Sequence, residues 1–126
     1  MSSKQRNINE SRKLLSLKFN SKENVVKLSR RNTPEHEIAK FLVSLEALRE
    51  GHDFVSEAIF TNGKRTDLFD LDTCLAIEIL QSETKKQFQK KVASYPCDVI
   101  SLDASHVIEV SLKNFLPGWR IEKPKG

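Results

Sequence analysis

The sequence predicts an α/β fold: a leading helix, an antiparallel hairpin or meander of about three strands, then a helix and a parallel strand on one mixed central sheet. Three observations carry this expectation. Thr33-Pro34 opens a segment whose apolar residues recur at three- and four-residue spacing. Asn62-Gly63 separates two short β-prone runs, as in a hairpin. The run Cys74-Leu75-Ala76-Ile77-Glu78-Ile79-Leu80 is apolar on both of its faces except for Glu78, as in a strand covered on both sides.

Taking the elements in order, residues 1–12 are polar and expected to fray. Leu14, Leu15, Leu17 and Phe19 form an apolar patch that fits either a strand or a helical turn. Val25, Val26 and Leu28 suggest a short strand ending at Arg30-Arg31. Thr33 then serves as a helix N-cap, Pro34 fits the first helical position, and Glu35 and Glu37 favour the positive end of the helix dipole. Ile38, Phe41, Leu42, Leu45 and Leu48 form one apolar stripe, and Gly51 closes the helix. Phe54–Phe60 and Thr66–Leu71 read as strands around a tight turn at Thr61-Asn62-Gly63-Lys64. After a bend at Asp72-Thr73 comes the doubly covered strand.

Glu83–Ser94 is a lysine-rich helix with Phe88, Val92 and Tyr95 turned to the core, and Asp98–Leu102 is a further strand. Strand, helix and strand in that order form a crossover, which makes the two strands parallel. Val107–Val110 and Trp119–Ile121 read as strands, with Pro117-Gly118 as a turn. The two cysteines, Cys74 and Cys97, lack metal-ligand spacing and are expected as buried free thiols.

A chain of 126 residues fits a single domain, with residues 1–24 as a basic arm free to flex. No apolar run reaches the roughly 18 residues of a membrane span. The basic start lacks the apolar stretch of a secretory signal, so a cytoplasmic protein without membrane contact is expected. Net charge is +4, unevenly distributed. Nine basic residues precede Thr33 against Glu10 and Glu23, whereas seven acids fall between Glu46 and Asp72 against Arg49, Lys64 and Arg65. An acidic centre between basic flanks suits a protein that grips a polyanion and holds a cation in the middle.

The centre has a specific geometry. If the second and third strands pair antiparallel around Asp72-Thr73, residues whose numbers sum to about 145 lie opposite each other, and Asp67 then faces Glu78. Two carboxylates so placed repel unless a cation lies between them. Convergent oxygen ligands of this kind suit Mg²⁺ or Mn²⁺, which leave coordination positions for water and phosphate. Glu35 or Glu37, in the first turn of the leading helix, can supply a third acid. His36 is expected at the helix surface.

Arg65-Thr66-Asp67-Leu68 followed by Ala76-Ile77-Glu78-Ile79 resembles the PD-(D/E)XK nuclease superfamily, whose restriction-endonuclease-like core has this element order. Glu35-His36-Glu37-Ile38-Ala39-Lys40-Phe41-Leu42 is similar to the opening helix of the archaeal-type Holliday junction resolvases within it, and Gly118-Trp119-Arg120-Ile121 is similar to their last strand. The resemblance spans residues 34–121. It implies a Mg²⁺-dependent DNA endonuclease acting on duplex or branched DNA, with a homodimer as the resolvase-like assembly. Asp67, Glu78 and the carbonyl of Ile79 would bind metal, and Glu35 (or Glu37) would hold a metal-bound water.

One position departs from the family. Its lysine belongs two residues after the second acid, and here Leu80 stands there. Gln81 could replace it if a bulge turned that side chain inward, or a lysine of the following helix, Lys85 or Lys86, could do so. The alternative is a degenerate site on a domain that binds DNA without cutting it. Lys64 and Arg65 lie beside Asp67, where phosphate would approach, and Arg30 and Arg31 are placed to reach the duplex backbone.

Overall fold

A computed structural model describes residues 2–114 apart from 19, 21 and 82. Among the described residues there are four helices and one open, mixed four-stranded sheet. The order is α1 (Ser3–Leu14), α2 (Pro34–Arg49), β1 (Phe54–Ile59), β2 (Arg65–Asp70), β3 (Leu75–Leu80), α3 (Lys85–Val92), β4 (Asp98–Asp103) and α4 (Ala104–Asn114). The strands lie in the order β1-β2-β3-β4, the first two pairings antiparallel and β3–β4 parallel, as a strand–helix–strand crossover requires. No described helix is long and apolar enough to cross a membrane.

Alternation along the strands divides the core in two. Val55, Phe69 and Ala76 point to one face, where they meet Ile8, Leu14 and Leu15 of the N-terminal region and Tyr95. Phe54, Leu68, Ile77 and Ile79 point to the other, against Ala39 of α2 and Ala104, Val107 and Ile108 of α4. Phe60 and Phe69 meet edge-on at 5.2 Å between ring centres. The two cysteines are free and half-buried beside the first cluster. The turn between β1 and β2 needs a left-handed residue, which Gly63 supplies at φ 83°. Gly63 N–H donates to the Phe60 carbonyl and Phe60 N–H to the Lys64 carbonyl, the pattern of a three-residue loop.

Four expectations are corrected. Ser3–Leu14 is helical and does not fray, because Ser2 caps it and Ile8 and Ser11 are buried. Leu15 makes only an isolated bridge to Phe60, and Leu17 is fully exposed. Residues 25–28 form no strand: the Val25 carbonyl and Lys27 N–H are taken by the Ser56 hydroxyl, a side chain doing the work of a neighbouring strand. Residues 107–110 are helical within α4, where Ala104, Val107, Ile108 and Ser111 share one face and Asp103 accepts the His106 N–H as an N-cap does. Phe19 and the expected strand at residues 119–121 with its turn lie outside the described residues.

The fourth correction governs the site. α2 starts as its sequence implies, with Thr33 accepting the His36 N–H and Gly51 left-handed at φ 78° beyond its C-terminus. Its orientation is the reverse of the expected one. Ile38, Phe41, Leu45 and Leu48 are 41–50 % exposed, whereas His36, Glu37, Ala39, Lys40 and Ser44 face the sheet. Lys40 is fully buried, its ammonium 2.7 Å from Glu37 Oε2 and 2.9 Å from Glu57 Oε1.

Glu57 reaches Lys40 because it is left-handed at φ 48° in the middle of β1. Val55 and Ala58 therefore contact the same cluster, out of phase with simple alternation. A buried ion triad stabilises only while every member is present. Lys40→Met should accordingly lower stability by about 3–5 kcal/mol in urea unfolding, because it strands two buried carboxylates. A loss below about 1 kcal/mol would show that α2 turns its other face inward.

Candidate functional site

The site forms where β2 and β3 part. Leu68 pairs with Ile77, Phe69 with Ala76 and Asp70 with Leu75, so the register sums to 145 as the sequence implies. Pairing stops at Leu68, although β2 extends back to Arg65 and β3 on to Leu80. In the gap, the Ile79 N–H donates to Asp67 Oδ2 at 2.8 Å, a side chain replacing the missing strand carbonyl. The Glu78 side chain is completely buried and lies within hydrogen-bonding range of Asp67. The two acids thus converge, at the floor of a cleft of about 190 Å³.

Positive charge arrives from both flanking helices. His36 of α2 places Nε2 3.3 Å from Asp67 Oδ2 and Nδ1 2.9 Å from Glu37 Oε1. From α3, Lys91 places its ammonium 3.3 Å from Glu78 Oε2 and 3.8 Å from Glu83. The Tyr95 hydroxyl reaches both Glu78 Oε1 and the Arg65 carbonyl, tying the end of β2 to β3. Ser29, Arg31, Asn32, Glu57 and Arg65 complete the lining of the cleft.

Burial and charge set different protonation preferences for the two acids. Burial opposes the charge of Asp67, but His36 and the Ile79 N–H outweigh it and hold the carboxyl below its ordinary range. Burial, reinforced by the charge of Asp67, pushes Glu78 up to about 7 against the opposing pull of Tyr95 and Lys91. The hydrogen bond to Asp67 raises His36, against desolvation, with Glu37 adding to the effect. Lys91 is raised as well: desolvation lowers it, and Glu78, Glu83 and Asp67 more than compensate. Glu37 is buried too, yet Lys40, the Ser29 N–H, His36 and Asn32 bring it down to about 2.

Of the residues singled out from sequence, Asp67 and Glu78 are brought together, and Arg31 and Arg65 line the same cleft. Ile79 enters through its N–H. Glu37 points inward but is held by Lys40, Ser29, Asn32 and His36. Glu35 and Gln81 are exposed, bonded to each other at 3.2 Å, and outside the cleft lining. Arg30 lines a neighbouring depression, and Lys64, Lys85 and Lys86 are exposed outside the cleft lining.

His36 is buried, which corrects the surface position expected for it. Lys40, Glu57, Lys91 and Tyr95 were not among the site residues expected from sequence. In sequence nothing set Lys91 apart from Lys85, Lys86 and Lys90 of the same helix.

Among the described residues, no three His, Cys, Asp or Glu side chains are arranged to hold a metal ion. Comparison with protein-family models, curated proteins and solved structures gives no match to this chain.

A carboxyl raised by folding contributes stability that is fully present below its ordinary range and lost as pH rises through the raised value. For Glu78 that window runs from about 4.5 to about 7. Glu78→Gln removes the penalty, so in metal-free buffer at pH 8 it should exceed the parent in stability by on the order of 1–3 kcal/mol. At pH 4.5 the two should be nearly equal. Urea unfolding at both pH values checks this, and a variant less stable than the parent at pH 8 would refute the repulsive pair.

Proposed function

We propose that this chain is a Mg²⁺-dependent deoxyribonuclease of the PD-(D/E)XK type, hydrolysing phosphodiester bonds in duplex or branched DNA on a restriction-endonuclease-like core. The observation that carries the reading is the convergence of Asp67 and Glu78 in a gap between strands, with an ammonium beside them. The donor set fits a hard divalent cation: two carboxylate oxygens meet, and one acid resists ionisation because it is buried beside the charge of the other. In a strand the N–H and carbonyl of one residue point the same way, so the Ile79 carbonyl turns toward the same gap as its N–H. Bound there, Mg²⁺ would polarise the scissile phosphate and furnish a nucleophilic water.

The chain's own residues divide the remaining work. His36 fixes the Asp67 carboxylate, and Tyr95 fixes that of Glu78. Lys91 takes the part of the lysine absent at Leu80: its ammonium reaches Glu78 from α3, so the charge comes from the neighbouring helix rather than from the strand. It would stabilise the negative charge that grows on the phosphate. Arg31 and Arg65 would hold flanking phosphates, while Lys85, Lys86 and Lys90 leave the outer surface of α3 basic.

A second reading, a DNA-binding protein that does not cut, is favoured by one observation. Lys91 is already ion-paired to two acids, Glu78 and Glu83, and Leu80 offers no substitute.

Cleavage of linear, single-stranded and four-way DNA with Mg²⁺ or Mn²⁺ separates the readings. Asp67→Asn and Glu78→Gln should abolish cleavage, and Lys91→Ala should reduce it by about 10²-fold or more, all three with DNA affinity largely kept. Salt-sensitive binding by a parent that cuts none of the substrates would establish the second reading. Undiminished cutting by both acid variants would end the first.

A further inference from the structure

We infer that Cys74 and Cys97 are a modification site: a thiol pair that closes reversibly into a disulfide across β3 and β4 on meeting a small aliphatic disulfide. The inference is independent of the chemistry proposed for the cleft. The strand ladder supplies the alignment. β3 and β4 run parallel and pair Leu75 with Asp98 and Ala76 with Val99, so the residues one step earlier, Cys74 and Cys97, continue the same register. Neighbouring strands lie about 4.8 Å apart, inside the roughly 4.4–6.8 Å that a disulfide spans between Cα atoms. Both cysteines are free and half-buried. Both also pack against the cluster of Val55, Phe69 and Ala76, which puts their side chains on the same face of the sheet.

Electrostatics agrees with that placement. Burial pushes the Cys97 thiol up to about 11, a charge on Cys74 adds to the rise, and the Ala76 N–H opposes it. The Cys97 sulfur therefore sits at the start of β3, with the other thiol as its neighbour. Bond formation needs only these two groups and the reagent. One cysteine thiolate attacks the small disulfide, forming a mixed disulfide and releasing one thiol. The second thiolate attacks the protein sulfur of that intermediate and releases the other thiol, which joins Cys74 to Cys97. Two electrons pass to the reagent, and the two cysteine protons end on the released thiols. The bond closes a loop containing β3 and α3, and with them Glu78, Lys91 and Tyr95. The crossover is then fastened at both of its ends.

Equilibration of the folded full chain with millimolar oxidised glutathione, read by intact mass and peptide mapping, tests the inference. The chain should lose about 2 Da, with the Cys74 and Cys97 peptides joined and dithiothreitol restoring the starting mass. The oxidised form should melt about 5–15 °C above the reduced one, because the bond restricts the unfolded chain. In Cys97→Ser, Cys74 should instead keep a stable glutathione adduct, since no neighbouring thiol displaces it. Persistent adducts on both cysteines of the parent would overturn the inference, as would thiols that react only after unfolding in urea. A bond between two chains in place of the internal one would do the same. An oxidised form that melts below the reduced one would show that the fold must distort to close the bond, and would count against the pair equally.

Discussion

The repulsion between Asp67 and Glu78 is the constraint around which the rest of this structure is arranged. Two carboxylates share a gap from which β3 cannot retreat, since it is paired on its other side to β4 from Leu75 to Leu80. Negative charge in a poorly solvated place requires positive charge nearby or loses its ionisation. The structure uses both solutions at once. Asp67 keeps its charge under His36 and the Ile79 N–H, and Glu78 is pushed toward neutrality despite Lys91. The proposed divalent cation would relieve this imbalance by adding positive charge where the two acids meet.

The demand for compensating charge extends into α2. His36 reaches the acids only if the polar face of the helix points inward, which also buries Glu37 and Lys40. Lys40 then needs a second acid, and β1 supplies Glu57 through a left-handed residue that breaks the regular alternation. One local electrostatic requirement thus propagates through a helix and a strand. Its remote consequence is the outward display of the apolar stripe of Ile38, Phe41, Leu45 and Leu48.

Much of the fold was legible in the sequence because its signals are local. The capped start of α2, the Asn62-Gly63 turn and the apolar β3 run each state their own geometry. The register of β2 on β3 followed from one bend and a two-residue period, and it brought Asp67 and Glu78 together on paper. The phase of α2 was not legible. Its apolar residues and its polar residues both repeat at helical spacing, and only the acids across the gap decide which set is buried. In α4, the β-branched Val107, Ile108 and Val110 outweighed the helical pattern set by Ala104 and Ser111. Lys91 was hidden among the equivalent lysines of α3.

The central claim is that the paired acids form the seat of a divalent cation, and calorimetric titration of the full chain with Mn²⁺ tests it most directly. Ionisation of Glu78 must accompany binding, so one site per chain is expected, with affinity rising about tenfold or more between pH 6 and pH 8 and proton release at the lower pH. Absence of binding at millimolar Mn²⁺ at pH 8, or binding unchanged by Asp67→Asn, would contradict the account.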